Sequence, residues 1–282
     1  MAAGREEGML PTSDGTRLYW QVWRPEGDPK AVLLIVHGLK DHSERYESVA
    51  EGLTARGFAV ASYDLRGHGR SDGRRAWVRR FDDYLGDLDR VLVLLRQEFP
   101  SSPWFLLGHS MGGALVTRFV LERRPAIVGF VLSAPALQPD ASVSKVAIAF
   151  TKLLSVIAPG AGVFRAPNAY FSRDPAVVTA MDQDPLIYQK PAPARTAAEL
   201  LRTMDHIRAN LPGITAPFLV LHGTDDRLSN PAGSQALRDG AASTDKTLHL
   251  YPGLYHDVLH EPERATVIAD LTAWLEARIP AA

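Results

Sequence analysis

Short runs that are apolar at almost every position recur along this 282-residue chain, at 31–36, 58–62, 104–107, 127–132 and 218–221. A strand with one wet face alternates apolar and polar residues. An unbroken apolar run instead suits a strand buried on both faces, as in a parallel sheet covered by crossover helices. Stretches with apolar residues at three- and four-residue spacing lie between the runs, at 46–56, 81–98, 111–123, 231–238 and 261–278. Strand and helix thus alternate, which predicts an α/β fold with an open, doubly wound, mostly parallel central sheet flanked by helices. In such a sheet ligands bind at the carboxyl ends of the strands. Ahead of this pattern, 9–11 and 18–23 flank Asp14-Gly15, a dipeptide suited to the positive φ angles of a tight turn, and predict an antiparallel hairpin.

The rhythm fails between about 138 and 212. The strand signal disappears, prolines accumulate (Pro159, Pro167, Pro175, Pro185, Pro191 and Pro193), and helical patches take over. The expected organisation is a core domain formed by 1–137 and 213–282, with 138–212 inserted as a helical cap. Within the cap, Val143, Val146, Ala147, Phe150, Leu154 and Ile157 recur at helical spacing. We expect this stripe to pack onto the core, with a lipid-facing surface as the alternative. The longest candidate membrane run has six residues, against roughly 20 needed to cross a bilayer. Acidic residues stand where a secretory signal would place its apolar stretch. A cytoplasmic location is therefore expected, with the cap as the route to peripheral lipid contact.

Composition narrows the classes further. Hydrophobic residues make up 46% and charged residues 22% of the chain, the usage of a folded domain rather than a disordered or fibrous one. Lys+Arg (31) nearly cancels Asp+Glu (32), so no basic excess is available to hold a phosphate backbone, and nucleic acid is not an expected partner. Without cysteine there is no disulfide, thiolate nucleophile or Cys-ligated metal centre. Six arginines between Arg66 and Arg80 have Asp72, Asp82, Asp83, Asp87 and Asp89 among or just beyond them, which reads as a solvated, charge-mixed face.

Gly108-His109-Ser110-Met111-Gly112 follows one apolar run and opens a helical stretch, the strand–turn–helix setting of a G-x-S-x-G nucleophile elbow. A serine held there stands above the sheet edge on a strained backbone, and glycines on either side relieve the crowding. Its hydroxyl needs a base, and the base an orienting carboxylate. Of the nine histidines, His256 lies in the loop before the last helix, at the required edge. His249 falls inside an alternating strand at 247–251, His206 in the cap, and His260 against the last helix. The 218–221 run leads into Asp225 and Asp226, and spacing alone allows either to orient His256. The chain order serine, aspartate, histidine is that of an α/β-hydrolase. Candidate oxyanion donors are the backbone N–H of Met111, at a helix N-terminus, and of Leu39, beside Gly38 in the loop after 31–36. His37 is expected to hold loop backbone rather than act as a second base.

Five segments together resemble the monoglyceride lipases of the α/β-hydrolase superfamily, over nearly the whole chain. They are His37-Gly-Leu-Lys-Asp-His-Ser-Glu-Arg-Tyr46, Asp64-Leu-Arg-Gly-His-Gly-Arg-Ser71, Gly108-His-Ser-Met-Gly-Gly113, Leu221-His-Gly-Thr-Asp-Asp-Arg227 and Tyr255-His256. The resemblance implies that Asp226, which precedes the arginine of the Asp-Arg pair, is the triad acid beside Ser110 and His256. It implies that 138–212 is a lid over an apolar acyl tunnel. The reaction it implies is hydrolysis of monoacylglycerols to fatty acid and glycerol through an acyl-enzyme, with no metal or organic cofactor. It also makes Asp41 and Arg45 candidate substrate contacts at the glycerol end, the alternative being an internal ion pair that fixes the Leu39 loop. In the family a glycine is common at the Lys40 position and a glutamate at the Asp41 position, and this chain departs at both. The 64–71 segment is expected to be structural. Rival readings are a lysophospholipase or short-chain carboxylesterase with the same triad, and a ligand-binding relative with little turnover.

Overall fold

The computed structural model describes residues 4–140 and 142–279; the extreme ends of the expected core domain and residue 141 of the expected cap lie outside the described residues. The chain opens with β1 (Gly4–Pro11) and β2 (Arg17–Arg24), an antiparallel hairpin. Its turn is wider than Asp14-Gly15 alone predicts. Thr12 N–H donates to Thr16 O across a loop over 12–16, and only Gly15 of the pair takes a positive φ, 84°. The Asp14 carboxylate instead accepts from Thr12 Oγ1 and Thr16 N–H, the local bonding that lets aspartate shape a turn without entering the left-handed region.

The core strands that follow are β3 (Ala31–Val36), β4 (Phe58–Tyr63), β5 (Trp104–His109) and β6 (Gly129–Ser133). After two short strands, β7 (Gly162–Phe164) and β8 (Ala192–Pro193), come β9 (Phe218–Gly223) and β10 (Lys246–Tyr251). One eight-stranded sheet runs β1-β2-β4-β3-β5-β6-β9-β10. It is antiparallel from β1 to β4 and parallel from there on. The alternation of β3 shows why its sequence is apolar throughout. Val32, Leu34 and Val36 enter a core layer with α2 (Phe81–Glu98) and α3 (Met111–Arg123). Leu33 and Ile35 enter the opposite layer with α1 (Glu47–Thr54) and α8 (Arg264–Glu276). Helices α2 and α3 have the predicted bounds, and α7 (Pro231–Gly240) runs two residues beyond the stretch predicted at 231–238. Helix α8 begins later than predicted because the buried Glu261 carboxylate accepts the Tyr255 and Arg173 N–H groups, holding that stretch outside the helix.

Strand order places the site. β3 and β5 are neighbours, in register through Val36↔Gly108, but the chain leaves β3 for β4 on the other side. This reversal opens a crevice at the carboxyl ends of β3 and β5. The loop after β3 and the turn before α3 therefore meet.

β6 and β9 are also neighbours, and between them the chain forms α4 (Lys145–Ile157), α5 (Pro175–Gln183) and α6 (Ala194–Ala209). The strand-free cap expected here gains one small element, since β7 and β8 pair antiparallel. The expected packing of the Val143–Ile157 stripe onto the core is overturned. Val146, Phe150 and Ile157 are 78%, 57% and 69% exposed, with Leu153 and Val156 beside them, while Val143 and Ala147 border a cavity. Helix α4 packs against α6 through a side carrying the buried Ser155, so its bulkiest residues are left outward. Among the described residues no helix is long and apolar enough to cross a membrane.

Candidate active site

Ser110 joins β5 to α3 with φ 54° and ψ −119°, a sparsely populated combination that costs about 1–3 kcal/mol. Four backbone bonds hold it there. Its N–H donates to Ser133 O at 3.0 Å, and its carbonyl accepts from Gly113, Ala114 and Ala136. The flanking glycines are required by close approach. A Cβ on Gly108 would lie 2.4 Å from Gly112 O, and one on Gly112 would lie 2.2 Å from Val36 O.

The loop after β3 packs directly on this turn, since a Cβ on Gly38 would fall 2.9 Å from Ser110 Cβ. His37 fixes the loop as a buried neutral imidazole. Nε2 accepts from Leu65 N–H at 2.9 Å while Nδ1 donates to Gly38 O at 2.7 Å, and burial pushes its pKa down. Asp64 organises the adjoining 64–71 segment by accepting the Ser43 and Arg70 N–H groups. Arg66 chelates the buried Asp87 with two 2.6 Å bonds and reaches the exposed Asp14, so at Asp87 alone the arginine-rich stretch departs from the solvated face expected of it.

His256 follows β10 and is buried, with Nδ1 2.7 Å from Asp226 Oδ2. That same oxygen accepts from His222 Nε2 (3.0 Å) and Ser229 Oγ (2.8 Å), while Oδ1 accepts the Leu228 and Ser229 N–H groups. Burial alone would raise this carboxyl, but the His256 and His222 imidazoles outweigh it and hold Asp226 well below the usual carboxylate range. An ionised carboxylate only accepts, so both imidazoles donate to it; His222 Nδ1 then accepts from Ser234 Oγ at 2.7 Å. Asp225, by contrast, is exposed and accepts from Thr224 Oγ1. Glu261 anchors the His256 loop through Tyr255 N–H at 2.6 Å, and the rings of His109 and Phe171 pack on His256 at 4.9 and 5.3 Å.

His222, Ser229 and Glu261 were not assigned from sequence. His222 carried one signal, a polar residue inside an otherwise apolar strand.

Asp41 and Arg45 come together, but away from the cavity wall. Arg45 bridges two buried carboxylates, Asp41 at 3.0 Å and Asp257 at 2.7 Å, and Asp41 also accepts from Tyr46 Oη. Both acids are held below the usual range: burial opposes this, while Arg45 and, at Asp257, His260 drive it. His260, the rival base, is committed at both ring nitrogens, to Asp257 Oδ1 and to Arg45 O, each at 2.8 Å. Asp41 and Arg45 thus form the internal ion pair weighed as the alternative to a substrate contact, and neither lines the cavity.

A cavity of about 380 Å³ opens over the sheet edge. Ser110, His256, Leu39 and Met111 line it, and its walls are mostly apolar, including Ile148, Phe164, Leu200, Leu201 and Met204. The strand order, the strained serine turn after β5 and the imidazole–carboxylate pair after β10 and β9 define an α/β-hydrolase.

Comparison with known proteins narrows the class. The family model described as Serine aminopeptidase, S33 matches residues 27–263. The monoacylglycerol lipase of Mycolicibacterium smegmatis is 37% identical over 279 residues, covering 99% of this chain and 100% of that protein. The monoglyceride lipase of Rattus norvegicus is 34% identical over 278 residues, 97% of this chain and 91% of its own. Among solved structures, the Paleococcus ferrophilus monoacylglycerol lipase matches with a TM-score of 0.82 and 28% identity, over 99% of this chain and 100% of that one. The chain belongs to the monoglyceride lipase family.

Proposed function

We propose that this chain is a serine hydrolase that cleaves the ester bond of monoacylglycerols to fatty acid and glycerol. Ser110 attacks the ester carbonyl as His256 takes its proton, and Asp226 holds the imidazole with Nε2 free to accept it. The Leu39 and Met111 N–H groups stabilise the tetrahedral oxyanion, the latter at the positive end of α3. His256 then protonates the leaving glycerol oxygen, and water releases the fatty acid from Ser110 by the same route. Asp41 and Arg45 serve by fixing the loop that carries Leu39. The observation that carries this reading is the mostly apolar cavity that Ser110 and His256 line, which suits one acyl chain with its ester at those residues.

Residues 138–212 form the lid in this reading, and α4 docks on lipid. Val146, Phe150, Leu153 and Ile157 recur at four-, three- and four-residue spacing on its outward side. Its 13 residues span about 20 Å, short of the roughly 30 Å hydrocarbon core, so the helix lies on a bilayer surface rather than crossing it.

The test is the hydrolysis rate on monoacylglycerols, diacylglycerols, lysophospholipids and soluble short esters, each set against Ser110→Ala. Monoacylglycerols are expected to be cleaved fastest. Ser110→Ala is expected to fall by several decades, to the residual roughly 10³–10⁴-fold over water that binding and the oxyanion hole supply. A preference for lysophospholipids or short esters overturns the substrate, and failure of a fluorophosphonate to label Ser110 overturns the nucleophile.

A further inference from the structure

We infer that Lys40 is a positioning residue for the oxyanion-stabilising loop, holding the Leu39 N–H in place by locking that loop to the cap. The inference rests on the hydrolase reading above and deepens it. Lys40 directly follows Leu39 and has a φ of 66°, the left-handed region that residues with a Cβ enter only at a cost. Both its backbone and its side chain are bonded to the cap. The Lys40 carbonyl accepts Tyr188 N–H at 3.0 Å. The residue is only 7% exposed, and its side chain donates from Nζ to Asn168 Oδ1 at 2.6 Å and to Ala166 O at 3.1 Å. Asn168 is itself fixed, its amide donating to Asp182 Oδ1 and Gln189 Oε1.

A lysine gives up more side-chain freedom on being fixed than most residues, and its ammonium gives up strong hydration on burial. Space-filling alone would use a cheaper side chain. Here the arrangement secures alignment. Gly38 presses on Ser110 on one side of Leu39, and Lys40 is pinned to the cap on the other, so the Leu39 N–H lies between two fixed points. Phe171, whose ring centre is 5.7 Å from the ammonium, also packs edge-on against His256. One cap segment therefore touches both the oxyanion loop and the base.

The surroundings of the ammonium add a pH dependence. Burial pushes its pKa down, to about 8, against the pull of Asp182 on α5 and Asp41 on its own loop. Arg45 and Arg165 add to the downward push, and Lys190 borders the same small crevice. The charged form, with its charge-assisted bonds, is present below about pH 8 and lost above it.

The test uses the full chain and a soluble short ester. Lys40→Met keeps the stem without the charge, and Asn168→Leu removes the acceptor from the cap side. Each is expected to lower kcat about tenfold with KM within about twofold, a fraction of the roughly 10²–10³ that loss of an oxyanion donor costs. The double variant is expected to be no slower than either single one, and kcat is expected to decline above about pH 8 in the wild type but not in Lys40→Met. An unchanged kcat in Lys40→Met, or additive losses in the double variant, overturns the inference. If Lys40→Met does not fold, Asn168→Leu and the alkaline limb of the wild type decide by the same criteria. A wild type no faster than Ser110→Ala sinks the hydrolase reading itself, whereas an active enzyme indifferent to Lys40 sinks only the lock.

Discussion

Asp226→Asn tests the orienting carboxylate with almost no change in volume. In the native site Oδ2 accepts from His256, His222 and Ser229, and Oδ1 accepts from two backbone N–H groups. An amide keeps only one of these oxygens. With its NH2 toward the backbone pair, two main-chain donors that cannot rearrange lose their acceptor, at about 1–3 kcal/mol each. With its NH2 toward the imidazoles, both rings can move their proton to the other nitrogen and accept instead. The second arrangement is cheaper, and it places the His256 proton on Nε2. A protonated Nε2 cannot take the Ser110 proton. The expected variant is folded, less stable by about 1–3 kcal/mol, and slower in kcat by about 10⁴, or ~5 kcal/mol of barrier. Steady-state turnover of a soluble ester and a thermal melt measure both effects. Asp225→Asn, at the exposed neighbour, is the control and is expected to match wild type. A folded Asp226→Asn that keeps kcat within about tenfold of wild type would refute the assignment, because His256 would then be oriented by something else.

Three further outcomes are expected. Replacing Val146, Phe150 and Ile157 together by serine should weaken sedimentation with phosphatidylcholine vesicles about 100-fold, at ~1 kcal/mol for each half-inserted side chain, and leave turnover of soluble esters intact; unchanged vesicle binding removes α4 as the docking surface. Arg45→Met strands the buried Asp41 and Asp257 carboxylates and should cost about 3–5 kcal/mol, read by denaturant unfolding. Asp41, Asp226 and Asp257 are all held below the usual carboxylate range in the folded chain. The stability they contribute is therefore complete above the unfolded-chain value of about 3.9 and is lost as pH falls below it. The melting temperature should accordingly be nearly level from pH 7 to 5 and drop steeply below about pH 4, and a level profile down to pH 3 would contradict the assignment.

The fold was legible because burial on both faces writes itself into a strand as an unbroken apolar run, as in 31–36, and because α2 and α3 carry a full helical stripe. The elbow was legible for a steric reason: Gly108 and Gly112 are compelled by backbone 2.2–2.4 Å from where a Cβ would sit. What stayed hidden depends on partners far along the chain. Nothing near Val146 or Phe150 says which side of α4 meets the protein, since that is decided by α6 and by the buried Ser155. Nothing near Glu261 says that it abandons the helix to hold Tyr255 N–H. Nothing near Lys40 says that Asn168 is brought to it from the cap.

Two imidazole–carboxylate pairs of nearly equal length have their imidazoles close along the same loop, and they differ at the far nitrogen. His256 is 2.7 Å from Asp226, and His260 is 2.8 Å from Asp257. Distance therefore does not separate a base from a strut. The far nitrogen of His260 donates to Arg45 O, so that imidazole joins the Asp41–Arg45–Asp257 network to the last loop and has no free lone pair there to take a serine proton. His256 instead lines the same cavity as Ser110. The pairs should accordingly fail in opposite ways. His260→Gln should lower stability by about 1–3 kcal/mol through its unmet partners while kcat stays within about threefold. His256→Gln should keep most of the stability and lose several decades of turnover, as loss of a triad histidine does. If the two variants exchange these behaviours in paired melts and initial rates, the base is His260 and the roles of the two carboxylates are reversed.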